Sequence, residues 1–174
     1  MTQSTWKSDK AHSQLKFDIS HYGISTVSGS YNDFEVLVTA AKDDFSDAVV
    51  ALKAKTASIY TGINGRDEHL KSADFFDAAA YPELTYKSTG IKKLSGNKYE
   101  IYGDLNMHGI TKPVTMQMEL RGIFTNPRNQ KKLAGLLVTG LIKRSDFGIG
   151  PKFPAANLGE EVMVIGDGEF GIQQ

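Results

Sequence analysis

Leu15-Lys16-Phe17-Asp18-Ile19-Ser20-His21 alternates apolar and polar side chains one by one. Successive side chains of an extended strand point to opposite faces, so Leu15, Phe17 and Ile19 share one face and Lys16, Asp18 and Ser20 the other. The same period of two recurs along the chain. Residues 26–39 carry Val27, Gly29 and Tyr31, then Phe34, Val36 and Val38. The phase slips at Asn32-Asp33, which predicts a bulge or bend. Residues 48–60 set Val50, Leu52 and Ala54 inward, and residues 83–91 set Leu84 and Tyr86 on one face. Residues 98–107 align Tyr99, Ile101, Gly103, Leu105 and Met107, and residues 113–124 align Val114, Met116, Met118 and Leu120. Pro113 lacks a ladder donor and is expected to open its strand. Residues 133–144 and 162–172 add two more strands. Ser95-Gly96-Asn97 and Thr125-Asn126-Pro127 mark turns. About eight strands with short turns predict an all-β, antiparallel up-and-down barrel or sandwich. Gly103, Gly140, Gly166 and Gly168 fall inside strands and read as points of barrel curvature.

One stretch abandons the alternation. From Asn64 to Asp77 the chain reads as two short helical turns near residues 64–80. Asn64 suits an N-cap, Asp67 and Glu68 suit the first turn, and Ser72 is a second cap. Tyr81-Pro82 ends the insertion, because the residue before proline is held extended. Residues 146–154 form a long loop or short helix.

The chain has 174 residues, a length that suits one domain over 1–174. It contains no cysteine, which excludes disulfides, thiolate metal sites and thiol nucleophiles. Lys+Arg and Asp+Glu are 20 each, and the bases are scattered, so nucleic acid is not an expected partner. No basic segment followed by an apolar run opens the sequence. It reads as cytoplasmic as written, or periplasmic if a signal has been removed. No stretch approaches ~18 apolar residues, so no stable membrane insertion is expected.

Catalytic signatures are missing. His12, His21, His69 and His108 lie on separate segments, and no pair has the spacing of metal ligands on one helix. They read as histidines that hold turns at barrel ends, with no metal. No Gly-x-Ser-x-Gly and no phosphate-cradling glycine loop occurs; Val27-Ser28-Gly29-Ser30 lies within a strand. No catalytic residue and no cofactor is expected. Phe17, Ile19, Phe34, Val36, Leu105, Met107, Met116, Met118 and Leu120 all take the inward phase. That stripe reads either as plain core or as the wall of a cavity, since a small barrel fills its interior or holds one ligand. Its three methionines suit an adaptable lining.

In order along the chain stand Trp6-x-x-Asp9-x-x-His12-Ser13, Phe17-x-Ile19-x-His21-x-Gly23-Ile24-Ser25-x-Val27-x-Gly29, and Arg66-Asp67-x-His69-Leu70-Lys71-Ser72-x-Asp74-Phe75-Phe76-Asp77 with Tyr81-Pro82. Gly103-Asp104-Leu105, His108-Gly109-Ile110-Thr111-Lys112-Pro113-Val114, Lys143-Arg144-Ser145-Asp146-Phe147-Gly148 and Leu158-Gly159-Glu160-Glu161-Val162 complete the series. From Trp6 to about Phe170 this resembles the YceI-like family of lipid-binding proteins; many relatives carry a secretory signal that this sequence does not show. The resemblance implies an extended, lipocalin-like barrel with a long channel for a polyisoprenoid, an isoprenoid quinone or a fatty-acid-like chain. It implies a non-catalytic carrier, and some relatives form homodimers. An enzyme acting on the bound lipid, or assisted by a metal through the histidines, is the alternative. On this reading the helical insertion lies where a lid would sit, with Phe75 and Phe76 at an entrance. Arg66, His69, Lys71 and Arg144 are candidates to meet a head group, or else they pin loops through Asp67 and Asp146.

Overall fold

The computed structural model describes Thr2–Gln173. Its strands are β1 (Ser4–His21), β2 (Ser25–Tyr31), β3 (Phe34–Ala40), β4 (Val49–Lys55), β5 (Ile59–Tyr60), β6 (Glu83–Ser95), β7 (Lys98–Met107), β8 (Ile110–Thr125), β9 (Lys132–Lys143) and β10 (Leu158–Ile172). One helix, α1 (Asn64–Lys71), follows β5. All pairings are antiparallel, in the order β1-β3-β4-β6-β7-β8-β9-β10, and β10 returns to β1. This is a closed eight-stranded barrel. Closure leaves no edge along that ring, and the alternating stripes then point into one shared interior.

β1 pairs with β3 only from Ser4 to Lys7, and with β2 only from Leu15 to His21. The slip at Asn32-Asp33 is therefore a real break between two strands. Its frame is backbone: Asn32 donates to the Ser58 carbonyl (3.1 Å) and Lys55 to that of Asp33 (2.9 Å). Where β1 and β3 part, the Ser8 hydroxyl accepts the Val36 N–H at 3.0 Å. Ser88 does the same for Val50 at 2.8 Å. A hydroxyl thus replaces a ladder carbonyl at each splay, as burial of an N–H demands.

The end at which β1 starts is plugged. The β3–β4 loop folds back because the Asp47 carboxylate accepts the N–H groups of Ala41 (2.9 Å) and Lys42 (3.1 Å). It drives Phe45 inward against Trp6, ring centroids 5.3 Å apart. Phe45 and Tyr99 are each 1% exposed, and the Tyr99 hydroxyl donates to the Asp44 carbonyl.

Four local expectations change. Pro113 is the fourth residue of β8, not its first. It pairs with Asp104 of β7, whereas pairing with β9 begins only at Gln117, so it sits on a stretch with one partner strand. Asn64 is the first helical residue, and Ile63 occupies the cap without a side-chain bond. The Asp67 carboxylate instead accepts the Thr61 N–H at 2.8 Å. β1 and β10 run beyond the apolar patterns at 15–21 and 162–172, because barrel closure pairs polar ends that carry no period. Finally, Gly103 and Gly140 make room rather than curvature. A Cβ at Gly103 would lie 2.5 Å from the Tyr86 ring, and one at Gly140 would overlap the Met116 sulfur. Gly29 likewise receives the Phe17 ring. Large side chains lie over small ones, which lets inward layers interdigitate.

Gly103→Ala should therefore destabilise the barrel by about 1–3 kcal/mol through overpacking. Gly65→Ala, in α1 with nothing within 4 Å of its added methyl, should be neutral or stabilising by up to ~1 kcal/mol. Urea unfolding of the two variants checks the contrast.

Candidate functional site

Above the plug the interior is hollow. An inner chamber of about 120 Å³ joins an outer chamber of about 460 Å³. Phe17, Tyr31, Met107, Ile142 and Val164 line both. The result is an apolar channel, plugged at one end, that reaches the end of the barrel where β1 meets β2. Its size falls within the range of small-molecule sites, ~300–1,000 Å³.

Most of the stripe read from the sequence lies on this wall. Phe34, Val36, Leu105 and Met116 line the inner chamber, and Ile19, Phe75 and Phe76 the outer one. Phe17 and Met107 span the two. Met118 and Leu120 do not line it. Met118 pairs with Tyr99, so its inward phase carries it into the plug, where it is buried. Leu120 lies further down β8, its N–H donating to Asn97 beside the β6–β7 turn. Period two gives the face of a strand but not the height along the barrel. Tyr31, Ile142 and Val164 had the right period to be found. Ile149 and Phe153 lie on a loop and carried no signal.

The lid is the segment from Thr61 to Pro82. Arg66 and Asp67 both clasp Thr61: Nε donates to its hydroxyl and Nη2 to its carbonyl, each at 2.7 Å, while the Asp67 carboxylate takes the Thr61 hydroxyl and N–H. Thr56 fastens the far end, accepting nothing from Pro82 but donating its N–H to the Pro82 carbonyl (3.0 Å) and its hydroxyl to that of Tyr81 (2.7 Å). Phe75 stacks on Phe153 of the β9–β10 loop with centroids 5.0 Å apart. His69 meets the edge of Phe75 at 5.0 Å. Asp74 ties the pair, contacting Lys152 at 2.8 Å and His69 Nε2 at 3.1 Å. The Lys152 ammonium, and then His69, hold the Asp74 carboxyl below the usual range. Gly150, at φ +66°, lets the Phe75 ring and Arg144 approach its backbone, where a Cβ would sit 2.9 Å from Phe75.

Opposite the lid, Arg144 lines the channel yet is only 5% exposed. Its guanidinium donates five hydrogen bonds: Nε to Gly159, Nη1 to Ile149 and Gly150, Nη2 to Phe153 and Leu158, all to carbonyls at 2.6–3.1 Å. The fork is fully used, and Asp146 is not among its partners. His108 accepts the same duty from the next turn, its Nδ1 2.8 Å from the Phe147 carbonyl. Among the head-group candidates, Arg66, His69 and Arg144 therefore line the outer chamber, and Lys71, bonded to Glu68 at 3.1 Å, does not.

His12 stands apart from the channel. Its Nδ1 lies 3.0 Å from Asp9 and 3.7 Å from Glu169. The three form the one trio among the described residues whose donor atoms could share an ion. The side chains are largely exposed and already make an ion pair, with the Asp9 hydrogen bond raising the His12 pKa.

The YceI-like domain matches residues 6–170. A UPF0312 protein of Staphylococcus aureus is 35% identical over 178 residues and is covered from end to end, as is this chain. A YCEI protein of Campylobacter jejuni superposes with a TM-score of 0.80 at 27% identity, over 87% of this chain and 88% of that one. Burkholderia cenocepacia BcnA gives 0.81 at 21% identity over 96% and 99%. A polyisoprenoid binding domain from Saccharophagus degradans gives 0.73 at 15% over 99% and 100%. The last two likenesses concern the fold.

Two outcomes follow from the loop and the lid. Arg144→Lys keeps the charge but strands several carbonyls, and should cost about 3 kcal/mol or more, seen as a lowered thermal midpoint. Asp74 has a folded pKa below its ordinary 3.8. Its contribution is therefore complete above that value and lost as pH falls through the lower folded value. Backbone hydrogen-exchange protection over 64–80, taken against the intrinsic rate at each pH, should fall on that acidification in the wild type, and already be low at neutral pH in Asp74→Asn.

Proposed function

This chain belongs to the YceI-like family, and from that premise we propose that it is a non-catalytic carrier of one elongated apolar chain, polyisoprenoid-like or fatty-acid-like, held in the barrel. The plugged apolar channel carries this reading. Burying each methylene is worth ~0.8 kcal/mol, so a tail of a dozen carbons offsets the cost of ordering it without a precise polar code. Phe17, Met107 and Met116 lie along the tail's path, and the methionines adapt to irregular chains. The plug formed by Trp6, Phe45 and Tyr99 sets how far a tail can reach. Selectivity should thus favour tail length and shape. The polyisoprenoid binding named for the Saccharophagus degradans domain, on the same fold, agrees with that class of ligand. Such binding requires no cofactor and no nucleic acid.

Organic extraction of the purified protein, read by mass spectrometry, should recover one long-chain lipid per chain. Ligand-free protein that also fails to take up quinones, prenyl chains and fatty acids would overturn the proposal. Met116→Trp should fill the inner chamber and abolish uptake of long tails with modest loss of stability. Met118→Trp, packed in the plug, should instead lower stability by about 1–3 kcal/mol and leave the binding of the surviving folded protein intact. Titration with tails of increasing length, beside thermal unfolding, separates the two.

A further inference from the structure

A third hollow, of about 490 Å³, lies against the side of the barrel rather than its end. It is built by the mid-section of β1. Residues 8–14 have no ladder partner on the β2–β3 side, because β3 stops pairing at Lys7 and β2 starts at Leu15. On the other side, β1 advances from Ser8 to Ser13 while β10 moves only from Phe170 to Gly168.

 The wall is therefore slack on both flanks at one height. The break is framed by backbone bonds from Asn32 and Lys55 and is part of the fold.

The hollow lies directly against the inner chamber. Ser13, Leu15, Lys16, Tyr31 and Phe34 line both it and the inner chamber. To Gln14 and Lys16, which it shares with the inner chamber, its walls add Lys10, Ser30 and Asn32. Neither lysine reaches a carboxylate among the described residues. The flanking carboxylates are turned elsewhere: Asp9 to His12 and to the Ala11 N–H, Asp18 to the Ser28 hydroxyl. At the end of the barrel the opposite holds. There Arg144 has no N–H to spare, Arg66 has spent Nε and Nη2 on Thr61, and His69 is bonded to Asp74.

Resting on the carrier reading, we infer that the slack section of β1 is a second, lateral opening of the channel, at which Lys10 and Lys16 hold the carboxylate of a single-chain amphiphile. The tail enters past Leu15, Tyr31 and Phe34 into the inner chamber. A neutral end group has no counterpart at this opening and lies at the end of the barrel. The two openings thus sort ligands by the charge of their end groups, because paired ammonium groups at a partly enclosed site attract an anion far more than an amide.

The test uses a fluorescent long-chain fatty acid and its primary amide at pH 8, with the intact chain. In the Lys10→Gln/Lys16→Gln double variant, affinity for the acid should fall about tenfold and affinity for the amide should stay within about twofold. Added salt should weaken acid binding in the wild type and not in the variant. The chain has no cysteine, so Gln14→Cys places one thiol at the opening. Bound acid should slow its labelling by a polar maleimide severalfold, and bound amide should not. Equal changes for the two probes, or labelling that ignores the acid, would overturn the lateral opening and leave the carrier reading standing. Wild-type protein that binds neither probe would overturn both.

Discussion

The seam between β1 and β10 is the contact on which the rest of the structure depends. It runs from Trp6 opposite Ile172 to His21 opposite Leu158 and joins the two ends of the barrel sheet. Without it the apolar faces of eight strands would border solvent, and two long edges would be left unpaired. With it, one closed wall surrounds a space too wide for its own side chains to fill. The aromatic plug occupies one end, and Phe17 over Gly29 and Met116 over Gly140 narrow the middle. What is left is the channel. Its hollowness is thus a product of closure at this strand number together with a few deep glycines.

Arg144 shows what it takes to shape the open end. A guanidinium removed from water needs a partner for each N–H; three carbonyls of the β9–β10 loop and the first two of β10 supply all five. The cation thereby gathers the loop and the start of β10 around one centre. Phe153 is thereby held where Phe75 of the lid can stack on it. Around that stack, surface contacts among Asp74, Lys152 and His69 add to the lid's attachment at Thr56. Contacts of that kind contribute little each.

The strands were legible because each carries its own alternation, and that pattern needs no partner to be read. The break at Asn32-Asp33 showed as a slip of phase for the same reason. Height along the barrel was not legible, which is why Met118 and Leu120 were placed with the channel although neither lines it. Register decides height, and register is set by pairing between strands. The resemblance carried Phe75, Phe76 and His69 to the mouth, where the structure places them. The five carbonyls of Arg144 had no trace in the sequence, since backbone acceptors are common to every residue. Pro113 was tolerated mid-strand for an equally non-local cause, the late start of pairing between β8 and β9.

The same break that bends the β2–β3 strand also explains why the helical insertion exists. Once β2 leaves the path of β3, it pairs with β5 rather than β4, and the wall between β5 and β6 must be covered by something other than a strand. The 61–82 segment covers it; Thr56 ties its far end, and Thr61 with Arg66 and Asp67 closes its near end on itself. A helix and turns can be displaced without breaking a ladder, whereas a strand in that position could not. The lid and the slack section of β1 are therefore two consequences of one departure from a continuous barrel. A sheet that ran β2 straight into β3 would be better paired, and it would close its cavity at the side and the end alike.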